Sequence, residues 1–506
     1  MSNNDSRTIL VAGATGYIGG RLVPRLLNAG YRVRAICRTP AKLLSRPWAA
    51  HPELEIYPAD LLDHERITQA AAGCRAAYYL IHSMGPQVLD FAATDRKAAA
   101  NFATAAEAAN LEEIIYLGGL GEDEPDLSPH LRSRAEVTKV LRQGRVPVTV
   151  LRAAVIIGSG SASFEILRYL VERLPIMITP RWVETPCQPI AIRNVLHYLI
   201  GCLDNEVTRG KTFDIGQEEV VTYRRLMEIY AEEAGLRKRL IIPVPLLTPR
   251  LSSYWISLVT PVPSELARPL TEGLRNPVVC HDFLIRALLP QRLLDCREAI
   301  RLALERTQHY RVETSWSDAG PVPLAEWRMA GDPHWAGGTE HRDCWRIVLE
   351  AGAEEVWQAV ASIGGMTGWY HANWLWRLRG FLDRLVGGIG LQRGRRGPVE
   401  LYPGDALDFW RVCEVDRPRH LQLAAEMKLP GQALLEFHIS EDTPKQTELL
   451  LIARFLPRGL LGPLYWRAVM PLHRYVFNGM LRGIARRLQK KTLQGPKRIR
   501  PSSGSK

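Results

Sequence analysis

Gly13-Ala14-Thr15-Gly16-Tyr17-Ile18-Gly19 follows directly on the apolar run Thr8–Ala12 and opens a helix-periodic stretch that places Leu22, Leu26 and Leu27 on one face. Glycines at this spacing let the backbone turn sharply after a buried strand. They also let a diphosphate approach the first helical turn, where unsatisfied N–H groups and the helix dipole favour negative charge. The strand–turn–helix context separates this run from an ordinary cluster of loop glycines and predicts a dinucleotide site. Gly13, Thr15, Gly16, Tyr17, Ile18 and Gly19 are its expected contact residues.

The next strand, 31–37, ends at Arg38, with Lys42 about one helical turn further on. A cofactor with a free ribose 2′-hydroxyl usually meets an Asp or Glu there, whereas a guanidinium suits a 2′-phosphate. The residues therefore favour NADP over NAD; the competing reading makes Arg38 a solvated strand-end cation. A third strand ends at Asp60-Leu61, which places Asp60 near the adenine. A fourth ends in His82-Ser83, polar residues expected to face the cofactor. Strands 113–119 and 148–152 follow, and helical stretches separate them all. This alternation predicts an α/β fold with a doubly wound parallel sheet and ligands at the carboxyl ends of its strands.

From Gly13 to about Gln308 the order of motifs resembles the atypical, NmrA-like branch of the short-chain dehydrogenase/reductase superfamily. Gly13, Gly16 and Gly19 match its glycine motif, Asp60-Leu61 its adenine-side motif, and Arg152-Ala153 its Arg-Pro, with Pro absent here. Phe213-Asp214-Ile215-Gly216 matches the start of its variable substrate region. The resemblance implies a Tyr-x-x-x-Lys pair and a Ser, in which Tyr moves a proton and Lys lowers the Tyr pKa and holds the nicotinamide ribose. This chain places His130 at the Tyr position and Arg134 at the Lys position, and the Ser position falls near Gly118 or Gly119. Arg134 suits a ribose and His130 suits proton transfer near neutral pH. On the other reading His130 merely precedes a helix and Arg134 is an exposed cation.

A chain of 506 residues needs more than one core. The expected division is a Rossmann domain at 1–220, a substrate or lid region at 221–311 and a linker at 312–343. A second domain at 344–490 and a basic, disordered tail at 491–506 complete it. Eight cysteines stand singly, with no C-x-x-C spacing, so neither a metal site nor a disulfide framework is expected. A polar amino terminus and the lack of a long apolar stretch predict a cytoplasmic protein, with peripheral contact at the inner membrane face as a further reading.

Residues 344–349 read as a strand, 353–360 and 374–386 as helices. Strands at 398–402, 408–415, 420–427, 433–440 and 447–455 follow, and then a long helix at 461–488. This order resembles the START-like helix-grip architecture, which implies an apolar cavity for a hydrophobic small molecule. The glycine-rich turns 364–370 and 387–396, and Asp405, Asp408, Trp410, Glu426 and Lys428, are its candidate polar and gating residues. Glu426 is the best single candidate for an inward-facing polar group. The two-part arrangement resembles an uncharacterised bacterial family that pairs a reductase-like domain with this module. The formal net charge of +12 draws heavily on the acid-free segment from Arg482 onward. Such a segment attracts anionic lipid weakly, and no motif for specific nucleic-acid binding accompanies it.

Three readings stay open: an NADP-dependent oxidoreductase acting on a hydrophobic substrate, a non-catalytic NADP(H)-sensing or assembly protein, and a hydrophobic-ligand carrier with a regulatory nucleotide site.

Overall fold

The computed structural model describes residues 8–81, 91–121, 128–244, 260, 272–274, 276–308, 312–319 and 340–499, apart from 387, 392–394, 396 and 398. The chain divides into two compact units, Met1–Gly320 and Pro321–Lys506. His82, Ser83, much of the expected substrate or lid region and the last seven residues lie outside the described residues.

The first unit is built on β1 (Thr8–Ala12), β2 (Arg32–Cys37), β3 (Leu54–Pro58), β4 (Ala76–Tyr79), β5 (Glu113–Gly119), β6 (Val148–Ala153) and β7 (Thr212–Ile215). All pair in parallel in the order β7-β6-β5-β4-β1-β2-β3. The order reverses between β1 and β4, which is where an open α/β sheet leaves a crevice for ligand. Both faces of β1 are buried, as a sheet covered by helices on each side requires. Ile9 and Val11 pack with Leu22 and Leu26 of α1 (Gly19–Asn28) and with Val195 and Leu199 of α7 (Ile192–Leu203). Leu10 and Ala12 pack instead with the layer of α3 (His64–Ala71), α4 (Phe91–Ala108) and α5 (Pro129–Leu141). The short α2 (Ala41–Leu44), α6 (Ala162–Arg173), α8 (Tyr223–Glu233) and α9 (Cys296–Gln308) complete the helices used below.

The linker expected at 312–343 begins too early. Thr314 and Asp318 are buried, and Asp318 pairs with Arg46 at 2.8 Å, so 312–319 belongs to the first unit. Buried cations on α1 and α2 hold this segment, Arg21 at Thr314 and Lys42 at Asp318.

In the second unit β8 (His341–Leu349), β9 (Ala406–Leu407), β10 (Trp410–Asp416), β11 (His420–Ala425), β12 (Gly431–Thr443), β13 (Gln446–Pro457) and β14 (Thr492–Ile499) form one antiparallel sheet. Its order is β9-β10-β11-β12-β13-β8-β14. Trp345, Leu423, Phe437, Leu451 and Phe455 alternate onto one face. They pack against Val356 and Trp357 of α10 (Ala353–Ala361) and against Trp466, Phe477, Met480 and Ile484 of α12 (Leu461–Leu488). The helix α11 (Asn373–Leu385) follows α10.

Two expectations fail here. Residues 399–402 are not a strand, because Asp405 ties the chain into a turn by accepting from the Tyr402 amide at 2.9 Å. Nor are residues 492–499 a disordered tail: they pair antiparallel with β8, and Arg498 reaches the buried Asp343 at 2.6 Å. Lysine and arginine suit an edge strand that must not recruit further strands, and that same charge made the segment read as solvated tail.

Candidate functional site

The loop after β1 is set by close backbone contact. Gly13 has φ +94°, and a β-carbon there would stand 2.7 Å from the Leu80 carbonyl oxygen at the end of β4. A β-carbon at Gly19 would stand 2.2 Å from the Gly13 oxygen. The Gly16 amide donates to that same oxygen at 2.9 Å, closing the turn. No side chain caps α1 and its first turn holds no acid. A diphosphate therefore fits the cradle: the first-turn amides have no side-chain competitor, and the close-approach positions carry no side chain. Thr15, Gly16 and Ile18 line this turn, partly exposed. Tyr17 needs correction as a contact residue. Its ring lies beneath the Arg21 guanidinium at 4.8 Å, and burial pushes its phenol up to about 12. A β-carbon on Gly158 would fall 2.4 Å from its hydroxyl, so the side chain is taken up by packing.

At the end of β2, Arg38 is exposed, with no carboxylate partner among the described residues. Lys42 departs from expectation. It is 5% exposed, and its Nζ donates to the Asp318 carbonyl oxygen, so it anchors 312–319 rather than meeting solvent-borne phosphate. Lys42 on α2 and Arg46 just beyond it are both buried, whereas Arg38 is left exposed. After β3, Asp60 is exposed and Oδ1 accepts from the Leu62 amide at 2.9 Å, while the Leu61 carbonyl accepts from Asn101 at 2.9 Å. These bonds fix the loop after β3.

Ser128 caps α5 by accepting from the Leu131 amide at 3.3 Å. His130 lies in the first turn of that helix, and Arg134 one turn later. Arg134 Nη1 donates to the Leu117 carbonyl at 3.1 Å, which brings the guanidinium to the carboxyl end of β5. A β-carbon on Gly119 would approach Arg134 Cδ to 3.1 Å and Leu131 Cδ2 to 2.9 Å. Packing against Arg134 and Leu131 thus occupies the space a side chain at Gly119 would need. Arg134 is therefore a positioned group and not a free surface cation.

Sequence reasoning missed a buried framework behind the loop. Arg21 is 2% exposed and donates to Thr314 Oγ1 at 2.8 Å and to the Ser159 carbonyl at 2.7 Å. The Ser159 hydroxyl is buried with no hydrogen-bond partner among the described residues. Burial raises the carboxyl pKa of nearby Glu165 on α6, despite its pairing with Arg168 at 3.3 Å. Arg152 binds Asp214 at 2.7 Å, and Asp214 also accepts from the His281 amide at 2.8 Å. That arginine joins β6 to β7 and to the segment beyond. The only available signal for Arg21 was an arginine in the first turn of a helix, where the dipole disfavours a cation.

In the second unit Glu426 is engaged by Arg411 at 2.9 Å, and Asp408 accepts from Trp369 Nε1 at 2.8 Å. Both are structural. Spacing suggested no metal site, yet β11 and β12 bring His420, Glu436 and His438 together with ligand atoms within 4.8 Å of one another. Glu436 is already held by Arg454 at 2.8 Å and Gln422 at 3.1 Å. Burial opposes its charge, but His438 and Arg454 overcome it and bring the pKa down to about 2. A guanidinium so close repels a cation from the cluster.

Residues 13–167 match a family model described as NAD(P)H-binding, and residues 335–480 match one described as a protein of unknown function, DUF2867. Dihydroflavonol 4-reductase of Hordeum vulgare is 39% identical over 82 residues, which are 15% of this chain and 23% of that protein. The photosystem II assembly factor Ycf39 of Trieres chinensis is 23% identical over 250 residues, 49% of this chain and 75% of that protein. The first reductase relatives are thus matched over about a quarter of their length. Among solved structures, Citrobacter sp. triphenylmethane reductase complexed with NADP(H) superposes with TM-score 0.48 at 20% identity, covering 58% of this chain and 99% of that one. With the glycine cradle at the sheet's reversal point and the match over 13–167, the amino-terminal unit is an NAD(P)-binding Rossmann domain.

Proposed function

We propose that this protein binds NADP in preference to NAD and reduces a hydrophobic carbonyl or enone substrate. The observation that carries the reading is Arg134, held at the carboxyl end of β5 by its bond to the Leu117 carbonyl. The cofactor, when bound, supplies the hydride that adds to the substrate carbon. Arg134 orients the nicotinamide ribose as the family's Lys would. His130, one turn earlier, delivers the proton that the substrate oxygen (or the enone α-carbon) takes up, and solvent restores it. Arg38 selects the 2′-phosphate. Asp60 and the Leu61 backbone border the adenine, and His82 and Ser83, outside the described residues, are assigned to the nicotinamide side of the crevice. The substrate region runs through 221–311.

The altered pair at 130 and 134 and the side-chain-free Gly119 favour a second reading: binding without chemistry, as in an NADP(H)-sensing or assembly protein. The similarity to an assembly factor agrees with it. One experiment separates the two. NADPH binding is measured by calorimetry, and turnover is screened with hydrophobic ketones, quinones and enones. The reductase reading expects turnover that His130→Ala lowers at least 100-fold while NADPH affinity changes less than threefold. Tight NADPH binding without turnover on any substrate would establish the second reading. A START-like cavity at 344–490 holding a hydrophobic ligand is a separate proposal; lipid extracted from purified protein would test it.

A further inference from the structure

The helix α11 turns a stripe of large apolar residues to solvent. Trp374 is 61% exposed, Phe381 58% and Leu385 68%, with Leu378 and Leu382 also exposed. They fall at i, i+4, i+7, i+8 and i+11, which is one face of the helix. The first half of α12 repeats the pattern with Leu461, Leu464, Leu472 and Tyr475, again exposed and on one face. The two helices are tied near their stripes by the His371 ring, three residues before Trp374, which packs on Tyr475 with centroids 4.6 Å apart. Large apolar side chains exposed in a row mark an interaction site.

Charge identifies the partner. The two helices carry eight arginines and one acid, Asp383. That acid is fully buried and binds the amides of Gly390 and Lys428 at 2.9 and 2.7 Å. Past Tyr475 the exposed residues of α12 are Arg482, Arg486 and Arg487. Arg474, Arg482 and Arg486 line a cleft of about 1030 Å³ closed on its other side by Thr492, Gly495 and Pro496 of β14. None of the three makes an ion pair with a described residue, and Lys490, also in the cleft, pairs with Glu355 at 3.0 Å. Steps of four residues set Arg482 and Arg486 about 6 Å apart along the helix axis. An exposed Trp, Phe and Leu stripe beside unpaired arginines is the pattern of a segment lying in a lipid interface. A symmetric pairing of two copies through this face would bring arginine against arginine. No described helix is long and apolar enough to cross a membrane, so the contact is one of lying on the surface.

We propose that α11 and the first half of α12 insert among the acyl chains of an anionic bilayer, while the Arg474–Arg482–Arg486 cleft takes lipid phosphate. This does not rest on the nucleotide reading, since every residue involved is in the second unit. Full-length protein is sedimented with vesicles of phosphatidylcholine alone and of phosphatidylcholine with 30% phosphatidylglycerol. Binding at least tenfold tighter to the anionic vesicles is expected. The double variant Trp374→Ser/Phe381→Ser and, independently, Arg482→Glu/Arg486→Glu should each lower it at least tenfold. Thermal unfolding and NADPH affinity of both double variants serve as folding controls; if NADPH fails to bind even wild type, the nucleotide reading falls while the vesicle result stands. Excess inorganic phosphate should leave most vesicle binding intact. Displacement by phosphate would mean a soluble phosphate ligand and overturn the proposal. Equal or no binding to the two vesicles would overturn it too, as would a dimer in solution that Trp374→Ser/Phe381→Ser converts to monomer.

Discussion

Arg21 Nε donates to Thr314 Oγ1 at 2.8 Å, joining residues 293 positions apart behind the glycine loop after β1. The same guanidinium holds the Ser159 carbonyl at 2.7 Å, and Thr314 in turn donates to the Tyr17 carbonyl at 2.8 Å. One buried cation thereby fixes α1, the loop after β6 and the end of the first unit relative to one another. Arg21→Met preserves much of the volume but leaves these acceptors without a donor, a loss of roughly 2–3 kcal/mol. A lower Tm and weaker NADPH binding are expected together; an unchanged Tm would show that the framework contributes little.

The three loop glycines should respond unequally. A methyl group on Gly19 would fall 2.2 Å from the Gly13 oxygen and one on Gly13 would strain a residue at φ +94°, whereas Gly16 leaves 3.3 Å. Gly19→Ala and Gly13→Ala are expected to abolish measurable NADPH binding in calorimetry. Gly16→Ala should lower Tm less than either of these, because its β-carbon would need the Gly13 oxygen to give by only a few tenths of an ångström, and should weaken the nucleotide by crowding it.

Cofactor choice and stability should separate at two neighbouring cations. Arg38→Ala removes an exposed guanidinium and is expected to weaken NADPH at least tenfold, leave NADH unchanged and spare Tm. Lys42→Ala removes a buried anchor to the Asp318 carbonyl, so Tm falls while the NADPH-to-NADH ratio holds. Titration of both nucleotides against both variants checks this.

Much of this architecture is legible in the residues, and the exceptions share a cause. The cradle announces itself because glycine spacing, the strand before it and the helix after it are local in sequence. So do the alternating strands of both sheets. Lys42 and Tyr17 misled because their positions fit the motif while their partners, Asp318, Gly158 and Arg21, come from other segments. Arg498 and its strand were invisible for the same reason: a basic terminus looks solvated until the buried Asp343 that receives it is known. The trio His420, Glu436 and His438 exists only through the register of β11 against β12, where His420 faces His438.

Glu113 makes the stability of the first unit depend on pH in a definite direction. It begins β5, is 2% exposed and accepts from Thr149 Oγ1 at 3.2 Å. Burial pushes its carboxyl from the ordinary 4.5 up to about 7, with Thr149 and Arg209 opposing. A folded-state pKa above the unfolded one means that the native state binds more protons between those two values. Unfolding free energy therefore falls as pH rises from about 4.5 through about 7, and the favourable contribution is complete only below the lower value. The limiting loss is roughly 3 kcal/mol. Glu113→Gln keeps the shape and an acceptor for Thr149 but carries no charge, so Tm measured from pH 5 to 8 should fall less in the variant than in wild type. Parallel pH profiles for the two proteins would show that Glu113 stays ionised in the fold.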